Sequence, residues 1–378
     1  MSAQRPLAVL IAGGGVAALE AALALRDFAG DRVTLRILAP NADFSYRPLS
    51  VREPFAYAHA DRYALAELAE TVGAELLEGE FAYVAPDKRV AFTAAGEELP
   101  YDALLLGLGA RVKEAFPHVA TIDDRHMDEV LRGLIQDVEE GYAHSVAFVS
   151  PARQSWALPL YELALMTAAR AHDMDVAAQL TVVTPEAAPL ALFGTGASAA
   201  VAVLLEEAGI GLIAGVQAQV PERGQVVMMP GARTLAASRI VALPDVFGPA
   251  VRGLPVGEHG FVPIDNACRV RGVEHVWAAG DATDFDVKFG GLAAQQADLA
   301  AASIAALAGA SVPELDEPPE IRAILLTGRE PRYLRARFVA GTGFDGELTT
   351  EPTWQPVAKI NARYLTPYLE QATPLASS

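Results

Sequence analysis

A glycine-rich turn near the start of the chain has the residue spacing of a phosphate-binding site. Residues 7–12 are apolar, residues 13–15 are three glycines, and a helix-forming stretch follows. Gly13 permits the tight turn because it has no Cβ, and Gly15 leaves room for a pyrophosphate against the backbone. Ala18 takes the position of a third glycine, where the helix packs on the strand. Free N–H groups at the helix N-terminus would bind the phosphates. The predicted contacts are Gly13, Gly15, Val16, Ala17 and Ala18.

A second motif, far along the chain, has side chains suited to the rest of a dinucleotide. Residues 276–281 read as an apolar strand that ends in Gly-Asp, and a long helix is predicted from Leu292 to about Leu307. A carboxylate just after a strand can accept a hydrogen bond from a sugar-alcohol hydroxyl. The helix N-terminus can hold partial negative charge on a bound ring. Lys288 either stabilises that charge or is a solvated loop residue. The predicted contacts are Gly280, Asp281, Lys288, Gly291 and Leu292.

A third turn lies between these two motifs. Residues 101–110 predict a strand that ends in a Gly-x-Gly turn at Gly107 and Gly109. This turn either lies against the dinucleotide or is a plain connection. The alternation of strand, turn and helix indicates an α/β protein.

Together and in this order, these segments resemble flavoproteins with two dinucleotide-binding domains, the FAD-dependent pyridine nucleotide-disulfide oxidoreductases. Within that superfamily the sequence resembles the sulfide:quinone oxidoreductases and the type II NADH dehydrogenases. The resemblance runs from about residue 7 to about residue 307, with a weaker match at residues 359–369. It is carried by residues 13–25, 44–49, 101–110, 155–166 and 278–298.

The resemblance implies two Rossmann-like domains, the first discontinuous, and a small C-terminal domain. It also implies bound FAD and electron transfer through the flavin. Residues 44–49 would run beside the flavin, where Arg47 would balance the charge of a reduced ring; the alternative is that Arg47 lies outside the cleft. The implied parts are an FAD-binding domain at residues 1–110 and 256–310, a degenerate NAD(P)-type domain at 111–255 and the C-terminal domain at 311–378.

The turn of the second predicted βαβ unit departs from the superfamily pattern. Strand, helix and strand follow one another over residues 146–184, but residues 150–156 read Ser-Pro-Ala-Arg-Gln-Ser-Trp, without Gly-x-Gly-x-x-Gly. Pro151 lacks a backbone donor, and bulky side chains fill the space that a pyrophosphate needs. We therefore expect NADH and NADPH to bind poorly, unless the Arg153 guanidinium grips a phosphate.

The single cysteine, Cys268, excludes most cysteine chemistry. One cysteine cannot form an intramolecular disulfide, a dithiol redox pair or a cysteine-based metal site. Cys268 falls in an apparent strand at residues 265–270, away from the redox cysteines of the sulfide oxidisers that the chain resembles. We expect a buried structural thiol and no sulfide oxidation by a cysteine route. The histidines lack metal-ligand spacing, so no metal is predicted, and the sequence names no catalytic residue.

The net charge and the apolar segments limit the classes of binding partner and the cellular location that we expect. The formal net charge is −18 at pH 7, so repulsion from phosphates disfavours nucleic acid. No apolar run is long enough to predict a transmembrane helix. The apolar stretch at the N-terminus is too short for a signal peptide, so a cytoplasmic protein is expected. Peripheral contact with a membrane and a homodimer are left open.

The predicted function is that of an FAD-dependent oxidoreductase. It would pass electrons from a small-molecule donor through the flavin to an acceptor, with a quinone among the candidates. Two alternatives stay open. One is an FAD-binding structural or regulatory protein whose donor site has decayed, and the other is an NAD(P)H dehydrogenase.

Overall fold

The structure is a computed structural model that describes residues 5–56, 59–152, 156–315, 317–339 and 343–376. The α-helices in these ranges are α1 (Val16–Ala29), α2 (Leu65–Thr71), α3 (Met127–Glu139), α4 (Leu158–Asp173), α5 (Gly194–Glu207), α6 (Gly290–Leu307) and α7 (Leu365–Gln371). The strands are β1 (Leu7–Ala12), β2 (Val33–Ala39), β3 (Asp43–Ser45), β4 (Arg62–Ala64), β5 (Ala74–Glu78), β6 (Phe81–Ala85), β7 (Val90–Thr93), β8 (Glu98–Pro100), β9 (Ala103–Leu106), β10 (Arg111–Lys113), β11 (Ala120–Thr121), β12 (Ser145–Val149), β13 (Gln179–Val183), β14 (Gly211–Ile213), β15 (Gln217–Glu222), β16 (Gln225–Met229), β17 (Arg233–Ala236), β18 (Arg239–Ala242), β19 (Asp245–Phe247), β20 (Val276–Ala278), β21 (Glu320–Leu325), β22 (Arg332–Val339) and β23 (Gly343–Thr349).

The first sheet is parallel and takes its strands from distant parts of the chain. Its order is β20-β9-β1-β2-β5. The central strand β1 is a continuous apolar run whose last four residues are fully buried, as is typical of parallel strands covered on both faces. Helices α1 and α6 pack against each other in the same core. Because β20 follows β9 by about 170 residues, the chain leaves this sheet and later returns to it.

The second sheet is also parallel, with the order β11-β18-β12-β13-β14. Helices α3, α4 and α5 share a core with these strands. A short antiparallel ribbon of β10 and β19 lies at the ends of the segment that builds this sheet. Two parallel sheets with helices confirm the predicted α/β class. The boundaries at residues 110, 255 and 310 stay predictions.

Antiparallel sheets complete the described part of the chain. Strands β21-β22-β23 form a C-terminal sheet, and its buried Ile321 and Leu334 pack in one core with Leu160 of α4 and Val201 of α5. The other antiparallel groups are β3-β4, β6-β7-β8 and β15-β16-β17. The C-terminal sheet therefore packs on helices of the second unit.

The sequence predicts a short strand over residues 357–360 and a brief helix over residues 361–369 that Pro367 interrupts, and the structure differs from both. Residues 357–360 are not a strand, and β23 was not predicted. The helix expected over residues 361–369 begins only at Leu365. Pro367 lies in its first turn, where a residue without an N–H loses no helical hydrogen bond, so the proline does not interrupt the helix.

Candidate dinucleotide site

The glycine turn after β1 is packed too closely for side chains. The Gly13 N–H donates to the Leu38 carbonyl oxygen at 2.8 Å, and Gly13 has φ +134°. A Cβ on residue 13 would lie 2.2 Å from the Gly107 carbonyl oxygen, and one on residue 107 would lie 3.0 Å from the Ala18 backbone nitrogen. The ends of β1 and β9 and the first turn of α1 therefore meet backbone to backbone. Gly13, Gly107 and Ala18 therefore lie together.

The same turn leaves open space on its other side. A Cβ on Gly15 or on Gly109 would meet no heavy atom within 4 Å, and Gly109 has φ +67°. Gly15 is the N-cap of α1, which has neither a side-chain cap nor an acidic residue in its first turn. The N–H groups of Val16, Ala17 and Ala18 thus have no partner within the helix. An uncapped helix N-terminus beside open space suits an anion such as a pyrophosphate.

A second uncapped helix N-terminus meets the first at Gly280. This glycine has φ +77°, and a Cβ there would lie 3.2 Å from the Ala17 Cβ and 3.1 Å from the Ala293 Cβ. The first turns of α1 and α6 therefore both lie against Gly280. Helix α6 also lacks a side-chain cap and a first-turn acid, and Gly291 and Leu292 lie in that first turn. Two positive helix ends converge on one glycine.

Hydrogen bonds fix the turn that carries Asp281. The Gly280 N–H donates to Gln296 Oε1 at 2.7 Å, and the Thr283 hydroxyl donates to the Gly280 carbonyl oxygen at 2.9 Å. The Gln295 amide instead bonds to the backbone of Glu320, donating at 2.7 Å and accepting at 3.0 Å. Both glutamines of α6 therefore hold neighbouring segments in place.

Asp281 and Lys288 form an electrostatically coupled pair in this turn. Burial raises the pKa of Asp281 to about 6, and the charge of Lys288 opposes that rise. Burial lowers the pKa of Lys288 to about 8, and Asp281 opposes that fall. The Lys288 ammonium donates to the carbonyl oxygens of Thr283, at 2.6 Å, and Phe285, at 2.5 Å. Lys288 is thus a buried cation held in place, which contradicts the solvated-loop alternative.

Arg47 reaches the same group of charges through Asp124, a residue that the sequence gave no reason to single out. The Arg47 guanidinium lies 3.9 Å from the Asp124 carboxylate. Burial raises the pKa of Asp124, against the charge of Arg47, and Asp124 in turn raises the pKa of Asp281. No motif surrounds residues 122–126, so only the folded chain brings Asp124 to the site.

A cavity of about 660 Å³ adjoins α6 next to this site. Its walls come from α6, from residues 313–315 and 317–320, and from residues 355, 356 and 361–363. Gly291 and Leu292, in the first turn of α6, belong to its lining, as do Asp298, Arg322 and Arg363. The cavity is therefore next to the predicted flavin contacts and combines apolar walls with a few charged groups, as ligand cavities commonly do.

Comparisons with known proteins agree with this geometry at the level of the fold. No family model matches the chain, and no curated protein matches it. The sulfide:quinone oxidoreductase of the hyperthermophilic bacterium Aquifex aeolicus superposes with a TM-score of 0.81 at 17% identity, over 91% of this chain and 87% of that one. A ferredoxin reductase from Rhodopseudomonas palustris gives 0.67 at 21% identity, over 88% and 83%. An NAD-dependent persulfide reductase from A. fulgidus gives 0.65 at 17% identity, over 89% and 65%.

The chain therefore has the fold of these three proteins. The resemblance inferred from the sequence is therefore confirmed for the fold. The second parallel sheet also has a strand–turn–helix connection, between β12 and α4, and this turn differs from the glycine turn after β1.

Aromatic rings crowd the turn at the start of α4. Trp156 stacks on Phe289, the N-cap of α6, with ring centres 4.6 Å apart, and lies 5.9 Å from Phe193. Glu186, shortly after β13, accepts the Tyr161 hydroxyl at 2.7 Å and the Ala191 N–H at 3.2 Å. This carboxylate, where an acid would hold a ribose, is already hydrogen-bonded. Arg153, the proposed phosphate grip, lies outside the described residues.

Cys268 is buried, as expected, but it does not lie in a strand. Its residue is 2% exposed, and it closes a tight turn in which its N–H donates to the Asp265 carbonyl oxygen, with φ +58° at Cys268. The predicted strand fails because residues 265–268 reverse direction between the short bridges at Ile264 and Arg269. Burial raises the pKa of the thiol to about 12, which suits an inert structural cysteine.

Among the described residues, no group of three or more His, Cys, Asp or Glu side chains could hold a metal ion. The helices of the described ranges include none that is long and apolar enough to cross a bilayer.

Proposed function

We propose that this chain binds FAD and is an FAD-dependent oxidoreductase that passes electrons from a small donor to an acceptor. The observation that carries the proposal is the convergence of two uncapped helix N-termini, those of α1 and α6, on Gly280. A dinucleotide with a negatively charged pyrophosphate and an electron-accepting ring fits two such positive ends. FAD, when bound, would supply the redox chemistry.

The residues of the site fit the parts of FAD in order. The open space at Gly15 and the free N–H groups of Val16–Ala18 would hold the pyrophosphate. Asp281 would accept a hydrogen bond from the ribityl chain. The first turn of α6, with Gly291 and Leu292, and the buried cation of Lys288 would stabilise negative charge on the ring. Arg47 and Gly109 would line the remaining edge.

We propose a quinone-class molecule as the acceptor. The cavity of about 660 Å³ is large enough for a substituted ring, and it begins at Gly291 and Leu292, which the proposal places against the flavin. Its apolar lining includes Phe285 and Leu299, and Arg322 can donate hydrogen bonds. The fold match to a sulfide:quinone oxidoreductase supports the same acceptor class.

The donor is proposed to be a quinol, another small reductant or a protein, and not NADH or NADPH. Support comes from the aromatic stack of Trp156 on Phe289 and from the engaged carboxylate of Glu186. A nicotinamide dinucleotide would need the space and the hydrogen-bonding groups that these side chains occupy. Sulfide oxidation through cysteines is disfavoured by the lone, buried Cys268.

A second candidate is an FAD-binding structural or regulatory protein. Two observations favour it, namely the aromatic side chains that occupy the turn before α4 and the buried thiol of Cys268. Neither the turn nor the thiol provides an evident way for an electron donor to reduce the flavin. Anaerobic mixing separates the two candidates. The purified yellow protein is mixed with a quinol, sulfide, NADH or NADPH while the flavin absorbance is followed.

The oxidoreductase proposal expects rapid bleaching of the flavin by the quinol and none by NADH or NADPH within the same time. Tightly bound FAD that no donor reduces would support the structural or regulatory protein instead. Rapid bleaching by NADH would restore the NAD(P)H dehydrogenase alternative.

A further inference from the structure

A pair of carboxyl groups joins α1 to α6 at the wall of the cavity. Glu20 of α1 is fully buried, and Asp298 of α6 lines the cavity and lies close enough to Glu20 for the two carboxyl groups to interact. The Glu20 oxygens also accept backbone N–H groups from Tyr364, at 2.9 Å, and Leu365, at 2.5 Å. Two carboxylates cannot donate hydrogen bonds to each other. Repulsion between two buried carboxylates at close range favours one proton on the pair.

The surroundings of the pair favour Asp298 as the protonated member. Both Glu20 oxygens accept N–H groups, which suits a negative charge on Glu20. Asp298 Oδ1 is buried and has no hydrogen-bond partner among the described residues, an arrangement that is costly for a carboxylate and less so for a neutral acid.

The charges that face Asp298 agree with this assignment. They come from Glu20 on α1 and from Arg363 in the segment before α7, and the Tyr364 phenol is also within electrostatic reach. Burial and the nearby Glu20 raise the pKa of Asp298 to about 8, while Arg363 opposes the rise. Below that pH the carboxyl keeps its proton, and above it the proton is lost.

We propose that the Glu20–Asp298 pair stores one proton at the cavity wall and that Asp298 donates it to an oxygen of a quinone-class acceptor bound in the cavity. The inference rests on the proposed function, because that function puts the acceptor there. Asp298 would thus be a proton donor in addition to the groups that hold FAD.

The step balances without a further reactant. To become a quinol, the acceptor takes two electrons and one proton from the reduced cofactor and its second proton from the Asp298 carboxyl. Asp298 is left as a carboxylate, and Arg363, which lines the same cavity, faces the new charge. A proton from bulk solvent, carried by water that enters the cavity, then reprotonates Asp298.

The test separates proton delivery from electron transfer by the choice of acceptor. Protein with its flavin reduced by dithionite is mixed rapidly with duroquinone, which needs protons, or with ferricyanide, which takes none. In the wild type, the duroquinone rate constant should fall up to tenfold per pH unit above about pH 8. Asp298→Asn should slow the duroquinone reaction about 100-fold at pH 7 and remove this pH dependence. The ferricyanide rate should stay within about twofold in this variant, because the electrons still leave the flavin.

A matched control removes another acid from the same cavity. Glu317 lies in its wall but is exposed, so Glu317→Gln should keep both the rates and the pH profile of the wild type. Infrared difference spectra of the purified protein between pH 6 and pH 10 add a readout without any acceptor. They should contain a protonated carboxyl that titrates near pH 8 and is lost in Asp298→Asn.

Equal duroquinone rates in the wild type and in Asp298→Asn at every pH, or no titrating carboxyl in the infrared spectra, would overturn the proton donor and leave the proposed function standing. A wild-type flavin that ferricyanide oxidises and duroquinone does not would overturn the quinone-class acceptor itself.

Discussion

The turns before α1 and α4 both connect a parallel strand to a helix, but only the turn before α1 has space for a phosphate. At α1, Gly13 and Gly15 keep the backbone bare, and space is open at residue 15. At α4, Pro151 removes an N–H, and Trp156 stacks onto Phe289. A pyrophosphate site in this fold therefore depends on the absence of side chains in the turn. Topology alone does not distinguish the two turns.

The largest expected effect comes from a substitution in the glycine turn before α1. In Gly13→Ala, the new Cβ would lie 2.2 Å from the Gly107 carbonyl oxygen at a φ of +134°. Backbone cannot yield as a flexible side chain does, so we expect a loss of about 3 kcal/mol in the free energy of unfolding. Urea unfolding of the wild type and the variant measures it. An unchanged midpoint would contradict the close approach of Gly13 to the Gly107 carbonyl oxygen.

The next largest effect is a loss of FAD affinity in a variant that still folds. Gly15 has φ −100° and ψ −173°, which any residue adopts, and a side chain there meets only open space. Gly15→Val should therefore fold normally but weaken FAD binding at least about 100-fold, or about 2.7 kcal/mol, because valine occupies the pyrophosphate position. Gly133→Ala in α3, an equally open glycine far along the chain, is the control and should retain FAD. Full FAD content in Gly15→Val would move the pyrophosphate away from this turn.

The affinity for NADH and NADPH tests whether the turn before α4 can bind a dinucleotide. Calorimetric titration with NADH and NADPH should give dissociation constants weaker than about 100 µM, or about −5.5 kcal/mol. The reason is that Trp156 and the hydrogen-bonded Glu186 leave little for a dinucleotide to bind. A low-micromolar constant would contradict this account of α4 and make the two turns functionally alike.

The smallest effect concerns the lone cysteine. Because the Cys268 thiol is buried and its pKa is raised to about 12, Cys268→Ser should cost about 1 kcal/mol of stability or less and leave flavin reduction rates unchanged. Stopped-flow reduction and thermal unfolding test both parts. A variant that keeps FAD but whose flavin is no longer reduced would show that the thiol takes part in the reaction.

The sequence predicts the parts of the site that depend on backbone shape. Gly13, Gly107 and Gly280 stand out because turns with close backbone contacts permit no other residue, and the structure brings all three together. Helix α6 is predicted to within about two residues, since a long apolar stretch follows a clear glycine signal.

Contacts between side chains that are far apart in the sequence could not be predicted from motifs. Asp124 pairs with Arg47 across 77 positions, and the fully buried Glu162 pairs with Lys359 across 197 positions. Neither acid belongs to a motif with a fixed spacing, so only the packing of the folded chain reveals its partner. The cavity beside α6 likewise includes residues 355, 356 and 361–363, which are remote from α6 in the sequence.

The most direct test of the central claim is the identity of the ligand that the purified wild-type protein carries. Heat denaturation releases a bound dinucleotide, and chromatography against standards identifies and quantifies it. Two helix ends that converge on Gly280 predict FAD, close to one molecule per chain. A colourless protein that does not take up added FAD would contradict the account, because its site would then be shaped for something else.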